Sequence, residues 1–176
     1  IHRGNLRNGK DSLYRPIVQM FGNKGAGDVR GEDIDAGWGD FYYGNKFLVF
    51  QEIHRPQDKG FSNRLKTYAA PTASGVTSLN MKGRGVMDQM DAMGFVGMSN
   101  YRACLAIDRG DERYFVVDSW HNPEGAEFYR NYWAWVKAGG ATQLLHRFQN
   151  SVAMDGFDSG RVPMIAEGAI EMMALA

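Results

Sequence analysis

Gly4, Gly9 and Lys10, within "RGNLRNGKDSLYRP" (residues 3–16), are spaced as GxxxxGK. Glycines at such positions let the backbone curl until its N–H groups face phosphate oxygens, and the closing lysine reaches the terminal phosphates. The next residue is ordinarily Ser or Thr, whose hydroxyl goes to a magnesium ion; here Asp11 stands in that slot and Ser12 comes one position late. The three fixed residues taken alone also fit an ordinary solvent-exposed turn.

Three further residues could share chemistry with such a loop. Glu52 closes "FLVFQE", where a carboxylate can orient or activate a water beside magnesium, or simply cap a strand end. Asn100 closes "FVGMSN", at the strand edge where open α/β sheets bind ligands; an amide there can hold a water or read a phosphate, or merely form a turn. Arg109 and Arg113, in "DRGDERYF", could neutralise charge on a transferring phosphoryl group, although most surface arginines do not.

The elements that must position these residues are legible in part. Leu13, Ile17, Val18 and Phe21 recur at helical spacing directly after Lys10, with Pro16 expected to bend the helix slightly, and "FGNKGAGD" breaks the pattern with three glycines. "NKFLVFQEI" (residues 45–53), "MGFVGMSN" (93–100) and "RYFVVD" (113–118) read as short strands, the first buried on both faces of a parallel sheet. "FSNRLKTYAA" reads as a helix and "PTASGVTSLNMKGRGVMDQMDA" as a protruding hairpin. Residues 123–150 read as two helices hinged at Gly139 and Gly140, with Phe128, Tyr132, Trp135 and Val136 on one face, and 161–176 as a last helix. Trp133 and Trp135 could stack on bases, but aromatics at helical spacing are more often core or interface.

A chain of 176 residues suits one domain. Twenty basic and twenty acidic residues cancel, so any nucleic-acid contact must come from a local cluster. The single cysteine, Cys104, excludes an internal disulfide framework and a multi-cysteine zinc site, which agrees with a reducing, cytoplasmic setting. The four histidines lack metal-ligand spacing, and no apolar run reaches the roughly 18 to 20 residues that span a bilayer, so no membrane partner is expected.

In this order the motifs resemble the ATPase domain of superfamily 3 helicases, in particular phage and plasmid primase-helicases related to the poxvirus type. "NGKDSLYRPIVQMFG" looks like that group's Walker A loop and helix, "KFLVFQEI" like its Walker B strand, and "FVGMSN" like its sensor strand. "VTSLNMKGR" looks like the DNA-contacting hairpin, "DERYFVVD" like the arginine-finger region, and the stretch from "YWAWVKAGG" to "FDSGRVP" like a C-terminal "GG…LL…L…FD…P" pattern. The resemblance implies an α/β P-loop NTPase of AAA+-like type, three-layered α/β/α with a central, mostly parallel sheet and C-terminal helices. Residues 1–122 would be the ATPase core, its first strand largely missing, and 123–176 a helical segment packed on it.

By the same resemblance Gly4, Gly9, Lys10, Asp11 and Ser12 would bind ATP, with Mg2+ on Asp11, Ser12 and Glu52. Glu52 would activate water, Asn100 would act as sensor, and Arg113 would be the finger acting on a neighbouring subunit. Lys82 and Arg84 would touch single-stranded or forked DNA, or else form a solvated basic turn. A homo-oligomeric ring, in that family hexameric, and a primase domain upstream are further expectations, the latter because the chain starts at Ile1, next to the loop. One departure is Gln51, a neutral amide where a metal-associated acid usually precedes the catalytic Glu; Asp11 is read as compensating for it. Two rivals stand beside this reading: another P-loop enzyme, such as a nucleotide kinase or a non-helicase AAA+ remodeller, and a non-catalytic module with a degenerate nucleotide site.

Overall fold

The computed structural model describes residues 1–22, 24–69, 72–91, 93–109, 111, 113–151 and 167–175. Its centre is a five-stranded sheet in which every paired strand is parallel: β1 (His2–Gly4), β2 (Ala26–Val29), β3 (Phe47–Phe50), β6 (Gly94–Ser99) and β7 (Val117–Ser119), in the order β2-β3-β6-β1-β7. β4 (Val76–Met81) and β5 (Gly85–Met90) form a separate antiparallel hairpin. Helices α1 (Lys10–Phe21), α2 (Gly31–Asp35), α3 (Lys59–Ala69), α4 (Ala126–Trp135), α5 (Ala141–Asn150) and α6 (Glu167–Leu175) complete the α/β fold.

Alternation along the strands divides the sheet into two faces. Phe47, Val49, Val96 and Met98 point to one, where Tyr14 and Val18 of α1 cover them. Val29, Leu48 and Phe50 point to the other, where Ile34 of α2, Phe61 and Leu65 of α3, Leu79 and Met81 of the hairpin and Met172 of α6 close the larger core. Each fully buried Leu or Phe contributes roughly 1.5–3 kcal/mol relative to exposure, so this second face supplies most of the hydrophobic stabilisation.

The apolar runs expected as strands at residues 45–53 and 93–100 become β3 and β6, the helix and the hairpin fall where expected, and the chain kinks at Gly139 (φ 98°) between α4 and α5. The hairpin does not protrude freely: Thr77, Leu79 and Met81 are buried, Gly39 N–H donates to Asn80 O at 2.8 Å, and Lys82 N–H donates to Asp40 Oδ2 at 3.0 Å. The strand expected over 113–118 starts later, at Val117. Arg113 folds back onto Asp111 (Nε–Oδ1 2.7 Å), Tyr114 and Val116 turn into the core, and pairing with β1 begins only at Val117, opposite His2. β2 and α2 were not anticipated, because the glycines of "KGAGDVRG" mask an edge strand whose register comes from β3.

Pro16 lies inside α1 and is buried. Lacking an N–H, it frees the carbonyl of Ser12 one turn earlier, and the hydroxyl of Tyr132 donates to that carbonyl. The proline thereby creates the docking point that fixes α4 against α1. The aromatic row on α4 is real, with Tyr132 stacked on Phe128 (6.5 Å, 11°) and 5.8 Å from Trp135, but Phe128 remains exposed and the first buried side chain of this region is Val136. Of the "FD…P" part of the C-terminal pattern, Phe157, Asp158 and Pro163 lie outside the described residues.

Candidate functional site

The carboxyl ends of the parallel strands converge on the glycine–lysine loop, the edge at which open α/β sheets bind ligands. The loop leaves β1 at Gly4 and enters α1 at Lys10, turning through Arg7 (φ 60°) and Gly9 (φ 85°). A Cβ on Gly9 would lie 2.5 Å from the hydroxyl oxygen of Tyr129, so glycine is required there for space as well as conformation.

Side chains hold the loop from beneath. Ser119, the last residue of β7, is the hub: its Oγ accepts from Asn8 Nδ2 at 2.9 Å and lies 2.7 Å from His2 Nε2, while its carbonyl accepts from Asn5 N–H at 3.4 Å. Asn8 Oδ1 in turn accepts from Lys10 N–H at 3.3 Å, and Asn5 Nδ2 donates to Trp120 O at 2.7 Å. His2 Nδ1 lies 3.1 Å from the Tyr14 hydroxyl of α1. His2, Asn8 and Ser119 carry no local sequence signal beyond the neighbourhood of Gly9–Lys10; the β1–β7 register brings them together.

Lys10 is buried, and its Nζ donates to Asn5 O at 3.0 Å, to Gly4 O at 3.4 Å and to Asn100 Oδ1. Burial holds its ammonium below the usual lysine range, partly opposed by the adjacent Asp11. A cavity of about 160 Å³ is lined by Lys10, Asp11, Glu52 and Asn100, four of the site residues expected from the sequence, and by Gln51. Glu52 adopts φ 54°, a left-handed backbone unusual for a non-glycine residue and of the kind that collects at functional sites. Its carboxylate makes no hydrogen bond among the described residues.

A second cavity, of about 250 Å³, opens on the other side of Lys10 between Gly9, Ser12, Phe128, Tyr129 and Tyr132. Ser12 thus faces this aromatic pocket and does not line the Glu52 cavity. Arg113 lines neither: it clasps Asp111, whose carboxylate also lies 3.1 Å from Lys66 Nζ. Burial raises the Asp111 carboxyl, but hydrogen bonds from Arg113 and Lys66 outweigh it and hold the group below the usual carboxylate range. Lys82 and Arg84 sit exposed at the hairpin turn and make no ion pair among the described residues.

No group of three or more His, Cys, Asp or Glu among the described residues could hold a metal ion unaided. The carboxylates of Asp11 and Glu52 and the amide of Gln51 are hard oxygen donors around one cavity. That set suits a magnesium ion that keeps several waters and shares phosphate oxygens. No helix among the described residues is long and apolar enough to cross a membrane.

Fold and site together define a parallel α/β domain with a glycine–lysine loop at the carboxyl end of an inner strand. The chain is similar to solved apo structures of the C-terminal region of NrS-1. For the structure of that region spanning its residues 305–718, the TM-score is 0.72 at 16% identity, with 98% of this chain and 42% of that chain covered. For an A-form apo structure of the same region, the TM-score is 0.71 at 16% identity, with 98% and 40% covered. The likeness is one of fold, and this chain spans about two fifths of the length of those structures. No protein-family model matches the sequence, and no curated protein does.

Proposed function

We propose that this chain is the P-loop ATPase motor of a superfamily 3 type DNA helicase, part of a phage-type replication primase-helicase. The observation that carries the proposal is the meeting of Lys10, Asp11, Glu52 and Asn100 around one 160 Å³ cavity at the end of the Gly4–Lys10 loop. The strand order, with β1 between β6 and β7, and the fold likeness to the NrS-1 C-terminal region support it.

In this reading the loop N–H groups and Lys10 hold the β- and γ-phosphates, and Phe128, Tyr129 and Tyr132 flank the base in the adjoining pocket. Glu52, set forward by its left-handed backbone, takes a proton from the attacking water, and Asn100 fixes the position of that water or of the γ-phosphate. Asp11, Glu52 and Gln51 would hold magnesium directly or through water, and the ion would neutralise charge developing on the phosphoryl oxygens. Arg113 would leave Asp111 to reach a site across a ring interface, and Lys82 and Arg84 would meet DNA phosphates as the ring translocates.

Two measurements test this. ATP with magnesium should raise the melting temperature of the wild-type chain and not of Lys10→Ala, since ligand binding to the native state must stabilise it. Single-stranded DNA should stimulate ATP hydrolysis. A thermal shift without DNA stimulation would favour a remodeller or kinase; no shift would favour a module with a degenerate site.

A further inference from the structure

Gln51 is the residue that fits the proposed ATPase least, and its surroundings explain how an amide can serve there. Asp28 on β2 pairs in register with Val49 on β3, so Asp28, Val49 and Gln51 share the face of the sheet that α1 covers. Gln51 Nε2 donates to Asp28 Oδ1 at 3.0 Å. Asp28 and Gln51 also line, with Asp11, Tyr14 and Arg15, a cavity of about 240 Å³ beside the Glu52 cavity, which Gln51 lines as well.

An ionised carboxylate only accepts hydrogen bonds, so Asp28 selects the amide's NH2 end. Oε1 is then the half of the Gln51 side chain left for a ligand, and a carbonyl oxygen is a hard donor suited to magnesium or its waters.

We propose that Asp28 is a positioning residue for the metal–nucleotide site: it turns Gln51 so that Oε1 faces the metal, and the Asp28–Gln51 pair supplies the single negative charge that an acid at position 51 would have carried. This rests on the nucleotide reading above. It moves the missing acid from β3 to the neighbouring strand, where a motif search along one strand cannot find it.

The test uses ADP, with and without magnesium, and reads the melting temperature of the wild-type chain, Asp28→Asn, Gln51→Glu and the double variant Asp28→Asn/Gln51→Glu. Because Asp28 is exposed, Asp28→Asn should fold, and metal-free ADP should stabilise it as it does the wild-type chain. Asp28→Asn should need about tenfold more magnesium for half of the additional shift, the lower end of what losing an outer-shell partner costs. Gln51→Glu alone, with two carboxylates facing each other, should also disturb the magnesium response, and the double variant should restore it by reversing the pair. An unchanged magnesium midpoint in Asp28→Asn, or a double variant no better than the single ones, would overturn the proposal. A wild-type chain that ADP does not stabilise at all would overturn the nucleotide reading and this proposal with it.

Discussion

The ammonium of Lys10 and the side-chain oxygen of Asn100 are hydrogen-bonded, which ties the loop after β1 to the end of β6. With the carbonyls of Gly4 and Asn5 they satisfy a buried cation, and in the proposed ATPase phosphate oxygens would have to compete with that arrangement. Asn100→Asp would turn this ion–dipole contact into an ion pair and set a second negative charge where the phosphates would lie. ATP affinity should therefore fall at least about tenfold, equivalent to 1.4 kcal/mol. Asn100→Ala removes the competitor, so it should leave affinity within about threefold while slowing hydrolysis. Titration calorimetry and steady-state turnover check both; an Asn100→Asp variant that binds ATP as tightly as wild type would refute the competition.

Gly9→Ala should destabilise the chain through two separable causes. A left-handed alanine costs roughly 1–2 kcal/mol, and its Cβ would press on Tyr129, where overpacking adds roughly 1–3 kcal/mol. Adding Tyr129→Ala should recover the second part and leave the first. Urea unfolding of the two single variants and the double variant supplies the cycle. Strict additivity would mean that the hydroxyl of Tyr129 does not constrain Gly9.

These two contacts also show how far the sequence could be read. β3 and β6 were legible because central parallel strands are continuous apolar runs, and the Gly4–Lys10 loop because its chemistry needs glycines and a lysine at fixed spacing. The hairpin was legible from alternation around Lys82–Gly83–Arg84. Ser119, Asn8, His2 and Asp28 were not, since each acts through a partner on another strand: Ser119 meets Asn8 only because β7 lies beside β1, and Asp28 meets Gln51 only because β2 lies beside β3. The kink at Gly139 was expected, whereas the seating of α4 on the carbonyl freed by Pro16 depends on a tyrosine more than a hundred residues away.

Arg3 makes the corresponding prediction for the opposite face of the sheet. Its guanidinium is fully buried, donating to Asp118 at 2.8 Å through both Nε and Nη2, to Glu171 at 2.8 Å, and to the carbonyl of Arg102. Asp118→Asn would break the bidentate pair and leave the buried cation with Glu171 alone; because Asp118 is itself 34% exposed, the cost should be about 1–3 kcal/mol. Glu171→Gln should cost about 1 kcal/mol or less, because Glu171 is 38% exposed and Asp118 remains in place. Denaturant midpoints decide this. Equal losses from both variants would mean that Glu171 of α6 neutralises Arg3 as much as Asp118 does.

His2 gives a pH signature to the loop. Burial above all, then the nearby charge of Lys10, holds its imidazole below the ordinary histidine range, and it bridges Ser119 and Tyr14 as a neutral ring. The unfolded chain therefore binds more protons at this residue than the native chain does, so stability must fall as pH drops through about 6.5, the unfolded value, and stay level above it. His2→Gln keeps a group that can both donate and accept but removes the titration. The wild-type melting temperature minus that of the variant should be constant from pH 8 to 7 and decline steadily from pH 6.5 to 5. A difference that stays flat across the whole range would mean that His2 takes up its proton as readily in the folded chain as in the unfolded one, and that the loop is not held by a neutral histidine.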